Sequence, residues 1–215
     1  MGYPQLRRRL LQQTVSTGRL PAEYQEVEWI ESHGAQYINT NTNNENFGFE
    51  VKFISYDELA NTDYGAILGG RYSSNNNAVE LNSYTSTDHP TWSGTLRLGG
   101  SSQNYDAHFN PKGQVNVIKY MNGVYTANGT DYSYAAGNIN NTRYVYLFAL
   151  RNNTSASSQG NIRMYYAKLY HSGVLARDFV PCYRKADSVI GMYDLENDVF
   201  YTNAGSGTFT KGGNV

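Results

Sequence analysis

At 215 residues with 40% hydrophobic residues, the chain is long enough for one β-rich domain or two small ones. Only 16% of residues are charged, against about a quarter in ordinary soluble domains, so solubility rests on Asn, Ser, Thr, Gly and exposed Tyr. The formal charge of −1 excludes a global attraction to nucleic acid or anionic membrane, and no stretch approaches the run of about 18 apolar residues that a membrane span requires.

Residues 1–20, MGYPQLRRRLLQQTVSTGRL, differ from the rest of the chain. Pro4 suits a first helical turn, and Leu6, Leu10 and Leu11 recur at helical spacing beside Arg7, Arg8 and Arg9. So short a helix is marginal alone in water, so the segment is expected to be either a frayed, solvated terminus or, the reading preferred, a short arm that docks on a partner subunit. The arginine triplet is too small to signal nucleic-acid binding. The N-terminus shows no apolar run of the kind a secretory signal needs.

From residue 24 the pattern has a period of two. In FGFEVKF, Phe47, Phe49, Val51 and Phe53 alternate with Gly48, Glu50 and Lys52, which predicts a half-buried strand. Asn-rich patches at 41–46, 75–77 and 138–141 are expected to be loops. QVNVIKYMNGVYTAN places Asn122-Gly123 between two strand-like runs and predicts a two-residue hairpin turn. RYVYLFALR, with few polar interruptions, is expected to be one central strand buried on both faces. NIRMYYAKLYHSGVLARDFV predicts a second hairpin, turning at Ser172-Gly173. Cys182 is the only cysteine, so no intrachain disulfide forms. Its place in FVPCYR predicts a buried structural thiol. Many short strands and almost no helical period argue for a sandwich of two sheets.

YDLENDVFY at 193–201 raises the question of enzymatic activity, because Asp194, Glu196 and Asp198 would share one face of a continuous strand. Such carboxylates could act on a glycosidic bond, hold calcium or mark a turn. Asn197 and Asp198 tolerate the backbone of a tight hairpin, and a reversal there separates the three acids. The expectation is a hairpin and no catalytic site. Asp57, Glu58 and Asp63 have a composition that fits a calcium loop as well as solvated loop acids. His33, His89, His108 and His171 show no metal-ligand spacing, and GGR and LRLGG lack a phosphate-binding glycine pattern. No cofactor is expected, with calcium the one ion left open. The stretch 72–109 mixes aromatic and amide groups: Tyr72, Tyr84, Trp92, Asn104 and Tyr105 are the candidate ligand-binding residues, with His89 and His108 nearby. Rings for a sugar's C–H face and amides for its hydroxyls suit glycan contact. The same mixture serves a subunit interface or loop packing.

LPAEYQEVEWIESHGAQYINT, together with NIRMYYAKLYHSGVLARDFVPCYRKADSVIGMYDLENDVFYTNAGSGTF, resembles a module common in phages and prophages of gut bacteria. That module is similar to the concanavalin A-like, laminin-G-like jelly roll, and the likeness covers residues 20–210. The resemblance implies an all-β jelly-roll sandwich of two antiparallel sheets over 21–215, preceded by the arm. It implies a non-enzymatic virion protein, made in the host bacterial cytoplasm and carried on the particle as a capsid decoration, head fibre or tail module. Its expected partners are other virion proteins through the arm, further copies of itself, and host or mucus glycans. Neither membrane nor nucleic acid is expected. An enzyme on the same fold and a cementing subunit with no ligand are the alternatives. YDLEND does not carry the Glu-x-Asp-x-Glu order of the jelly-roll glucanases.

Overall fold

The computed structural model describes residues 18–43, 45–56, 65–71, 78–83, 94–99, 107–134 and 143–215. The candidate arm residues Leu6 to Leu11, the ligand-binding candidates Tyr72, Tyr84, Trp92, Asn104 and Tyr105, and the loop acids Asp57, Glu58 and Asp63 lie outside them.

The described residues contain strands and no helix. In chain order these are β1 (Tyr24–Glu26), β2 (Ile30–Glu31), β3 (Ile38–Asn43), β4 (Phe47–Ser55), β5 (Gly65–Arg71) and β6 (Val79–Ser83). Then follow β7 (Thr95–Leu98), β8 (Val115–Met121), β9 (Val124–Ala127), β10 (Thr130–Ser133), β11 (Tyr144–Leu147) and β12 (Leu150–Asn152). The last are β13 (Ser155–Ser157), β14 (Ile162–His171), β15 (Val174–Arg184), β16 (Ile190–Asp194), β17 (Val199–Thr202) and β18 (Thr210–Lys211).

Two sheets pack face to face in a jelly-roll-like β-sandwich. The larger runs β10-β9-β8-β4-β14-β15-β16-β17, with β1 added to β15, β2 to β14 and β18 to β2. The smaller runs β13-β12-β5-β11-β3, with β6 on β5 and β7 on β6. Between them lies one core. Phe49, Val51, Phe53, Ile118, Leu169 and Phe179 from the larger sheet meet Ile67, Leu68, Leu81, Leu96 and Leu147 from the smaller, all fully buried. Each such side chain contributes roughly 1.5–3 kcal/mol by leaving water. Because both sheets share this core, the described chain is one folded unit.

The turn chemistry follows the sequence. Asn122 and Gly123 take φ of +50° and +83°, and Ser172 and Gly173 take +50° and +79°. Two adjacent left-handed residues are what a two-residue hairpin needs to match strand twist. On β4, Phe47, Phe49, Val51 and Phe53 are buried while Glu50 and Lys52 are half-buried, as their alternation implies.

Two expectations fail. RYVYLFALR is not one through-strand: Phe148 takes φ +65°, the chain reverses, and β12 pairs with β5 in parallel while β11 pairs with it antiparallel. Apolar continuity in this run reflects burial of a reversal as well as of strands, and periodicity does not distinguish the two. The patch at 41–46 is also part strand, since β3 continues to Asn43 with Asn41 at φ +53°. Asn tolerates the left-handed region, so pairing continues through it.

A second, smaller cluster lies on the far face of the larger sheet. Val180, Cys182 and Tyr193 are buried there beneath Leu20, with Tyr24, Leu195 and Phe200 packed around them. Arg19 donates from Nε to Glu26 Oε2 at 2.9 Å and fixes the segment that carries Leu20. The chain is therefore held to the sheet from Arg19 onward.

Candidate functional site

The acidic trio is a hairpin. Residues 195–198 form the turn between β16 and β17, and Asp198 takes φ +55°. Asp194 is fully buried at the end of β16, whereas Glu196 and Asp198 are exposed on the turn. The Asp194 carboxylate accepts hydrogen bonds from the Asp178 N–H (3.0 Å), the Glu196 N–H (3.1 Å) and Asn197 Nδ2 (2.9 Å). Arg177 Nε lies 3.5 Å from its Oδ2. All its acceptor capacity is committed to holding β15, β16 and the turn together. The three acids do not converge on a cleft.

Cys182 is fully buried between strands, and burial raises its thiol from the ordinary 9.0 to about 12. A thiol so protonated is a poor nucleophile. His33 faces Thr210 Oγ1 at 3.2 Å, His108 stacks on Tyr132 with centroids 3.8 Å apart, and His171 ends β14. Among the described residues no three His, Cys, Asp or Glu side chains group as a metal site would require.

The strands that carry the region 72–109 are described, and they hold an unusual polar layer. On β6, Val79 and Leu81 enter the core, so Glu80 and Asn82 face the other side of the sheet. On β7, Leu96 and Leu98 enter the core, leaving Thr95 and Arg97 on that same side. The register sets Glu80 opposite Arg97 and Asn82 opposite Thr95. Arg71, at the end of β5, donates from Nη1 to Glu80 Oε1 at 3.2 Å, and Arg97 Nη1 lies 3.6 Å from the same oxygen. Asn82 Nδ2 reaches Thr95 Oγ1 at 3.4 Å.

This outward face is polar and yet removed from solvent: Glu80 is 3% exposed, Asn82 2%, Thr95 0% and Arg97 6%. Burying an ion pair costs several kcal/mol of solvation that the pairing only partly returns. Asn82 Oδ1 is buried and accepts no hydrogen bond among the described residues, a deficit of about 1–3 kcal/mol where water does not reach it. A sheet built for stability alone would place apolar residues here.

The same strands fix the roots of the predicted recognition region. Arg71 and Ala78 bracket residues 72–77, Ser83 and Gly94 bracket 84–93, and Gly99 and Ala107 bracket 100–106. The last two segments return to one point, where the Ala107 N–H donates to the Gly94 carbonyl at 3.2 Å. Tyr125 Oη, fully buried, donates to the Ala107 carbonyl at 2.6 Å and ties that point to the core. A Cβ on Gly94 would sit 2.5 Å from the Phe109 ring, so only glycine allows this approach. Glu80, Asn82, Thr95 and Arg97 were not among the candidates from sequence. Their signal is the alternation in VELN and TLRL, which marks a face but does not reveal that the face is buried.

No family model matches the chain, and neither a curated protein nor a solved structure matches it. What the geometry defines is therefore a class of architecture: an all-β, two-sheet sandwich with a buried polar layer outside the smaller sheet.

Proposed function

We propose that the chain is a non-enzymatic, lectin-like module displayed on a phage particle, where it attaches to host-surface or mucus glycans. The phage setting rests on the resemblance of the terminal segments, and the arm at 1–20 is its attachment to other virion proteins. The observation that carries the binding reading is the polar layer of Glu80, Asn82, Thr95 and Arg97 on the outward face of β6 and β7, the strands that bracket residues 84–93. Amide groups are partners that sugar hydroxyls take, and the sequence of 72–109 supplies Asn104 beside the rings of Tyr72, Tyr84, Trp92 and Tyr105 for the C–H faces. The non-catalytic reading is supported by the fate of the acidic trio: the carboxylate best placed for chemistry, Asp194, is consumed in closing a hairpin. A glycan microarray probed with the full chain, then washed and re-read for depletion of the bound spots, tests both parts. Bound spots that persist fit the proposal. Depleted spots would identify an enzyme, and an array without binding would favour a cementing subunit.

A further inference from the structure

The turn between β15 and β16 and the loop between β17 and β18 line an open cavity of about 510 Å³, within the range of about 300–1,000 Å³ typical of small-molecule sites. Its walls are pinned. Asp187 accepts from Arg184 Nη2 at 2.6 Å and from the Val189 N–H at 3.2 Å, holding a turn in which Ser188 takes φ +59°. On the opposite wall Asn203 uses both ends of its amide: Oδ1 accepts from the Tyr37 N–H (3.1 Å) and the Gly205 N–H (2.8 Å), while Nδ2 donates to the carbonyls of Ser206 (3.3 Å) and Gly207 (2.9 Å). Gly205 lies so close to the neighbouring backbone that a Cβ would fall 2.1 Å from the Ala35 carbonyl. The cavity is thus shaped before a ligand arrives, and little ordering entropy remains to be lost on binding.

Its lining has one chemistry. Half-buried Ile190 gives an apolar patch, with only the edge of the core residue Phe209 (2% exposed) beneath it, and Ser188, Thr202 and Thr208 bring exposed hydroxyls that make no hydrogen bond among the described residues. The one charged lining residue is Asp187, already paired with Arg184. An anion finds no cation on the wall, and a metal ion finds a single, engaged carboxylate.

We propose that this cavity is a subsite for a neutral saccharide ring, whose hydroxyls pair with Ser188, Thr202 and Thr208 while its C–H face rests on Ile190. The inference rests on the reading of the chain as a glycan-binding module and adds a contact separate from residues 72–109. Two weak sites on one chain strengthen attachment to a repeating polymer without any new contact.

Saturation-transfer NMR on the full chain tests it, with methyl β-glucoside, methyl β-galactoside and N-acetylglucosamine as neutral probes and glucuronate as the anionic control. At least one neutral probe should give ring-proton signals and glucuronate none. In the Tyr84→Ala/Trp92→Ala background, which removes the other proposed contact, Thr208→Trp, which fills the cavity, should abolish them. Thr202→Ala should weaken binding roughly three- to tenfold, the worth of one hydrogen bond, with an unchanged melting temperature. The Tyr84→Ala/Trp92→Ala double variant should keep the signal. Signals that survive Thr208→Trp in that background overturn the subsite, as does glucuronate binding equal to the neutral probes. Signals lost only in the Tyr84/Trp92 variant sink the subsite and leave the glycan-binding reading intact. An absence of signal from every probe also overturns the subsite, and the microarray then shows separately whether the wider reading falls with it.

Discussion

Replacing Asp194 separates a hairpin lock from a catalytic acid. In Asp194→Ala the amides of Asp178 and Glu196 and the Asn197 side chain all lose their acceptor, and Arg177 loses its carboxylate. Removing one member of a buried charged pair costs about 3–5 kcal/mol. Arg177 keeps the carbonyls of Thr40 (3.3 Å) and Ala176 (3.0 Å) as acceptors, and water can reach the turn amides. The loss should therefore sit at the lower end, about 3 kcal/mol. Asp194→Asn retains one acceptor but turns an NH₂ group toward either a backbone donor or Asn197 and Arg177, a loss of about 1–2 kcal/mol. Glu196→Gln, on an exposed turn, should stay within about 0.5 kcal/mol of wild type. Urea denaturation followed by tyrosine and tryptophan fluorescence reads all three. Stability in Asp194→Asn equal to wild type, or an equally large loss in Glu196→Gln, would refute the lock. Polysaccharide hydrolysis by the wild type that vanishes in the Asp194→Asn/Glu196→Gln double variant would overturn the non-enzymatic reading as well.

Removing residues 1–17 should leave a soluble, cooperatively melting domain that no longer joins its assembly, whereas Leu20→Ala should cost about 2–4 kcal/mol by opening the cluster over Cys182; calorimetry and sedimentation distinguish the two. Gly191→Ala places a Cβ 2.1 Å from the Tyr201 carbonyl, so β16 and β17 must shift, with a loss of about 1–3 kcal/mol or more in the same urea assay. Alkaline titration should expose the burial of Cys182. Its folded pKa of about 12 lies above the ordinary 9.0, so the folded state holds a proton that the unfolded state has released. Stability is then intact below about pH 9 and falls above it, by up to roughly 1.4 kcal/mol per pH unit. Tyr120, Tyr166 and Tyr201, also raised by burial, add in the same direction at higher pH. Cys182→Ala should flatten the first part of that fall.

The sandwich was legible in the sequence because its signals are local. Phe47 to Phe53 alternate with a period of two, and Asn122-Gly123 and Ser172-Gly173 sit where only a left-handed pair closes the hairpin. Asn197-Asp198 was legible for the same reason, and the reversal there separates buried Asp194 from exposed Glu196 and Asp198. The reversal at Phe148 was not legible, since an apolar residue at positive φ is held there by long-range pairing with β5 and β3 that no local pattern encodes. Nor was the polar layer. Glu80 and Arg97 in an alternating strand look like a solvated face, and their burial depends on what lies across the sheet. The cavity by Asp187 and Thr208 joins two turns that are adjacent only because β16 pairs with both β15 and β17.

The central claim, that residues 72–109 recognise glycan, is tested most directly by one affinity measurement. Biolayer interferometry on the best array ligand should show the Tyr84→Ala/Trp92→Ala variant binding roughly tenfold or more weakly, since a stacked ring contributes about 1 kcal/mol and 1.4 kcal/mol is a factor of ten. Its melting temperature should stay at the wild-type value. Unchanged affinity with a large drop in melting temperature would place both rings in the core, where truncating a Trp costs about 3–5 kcal/mol, and would contradict the account.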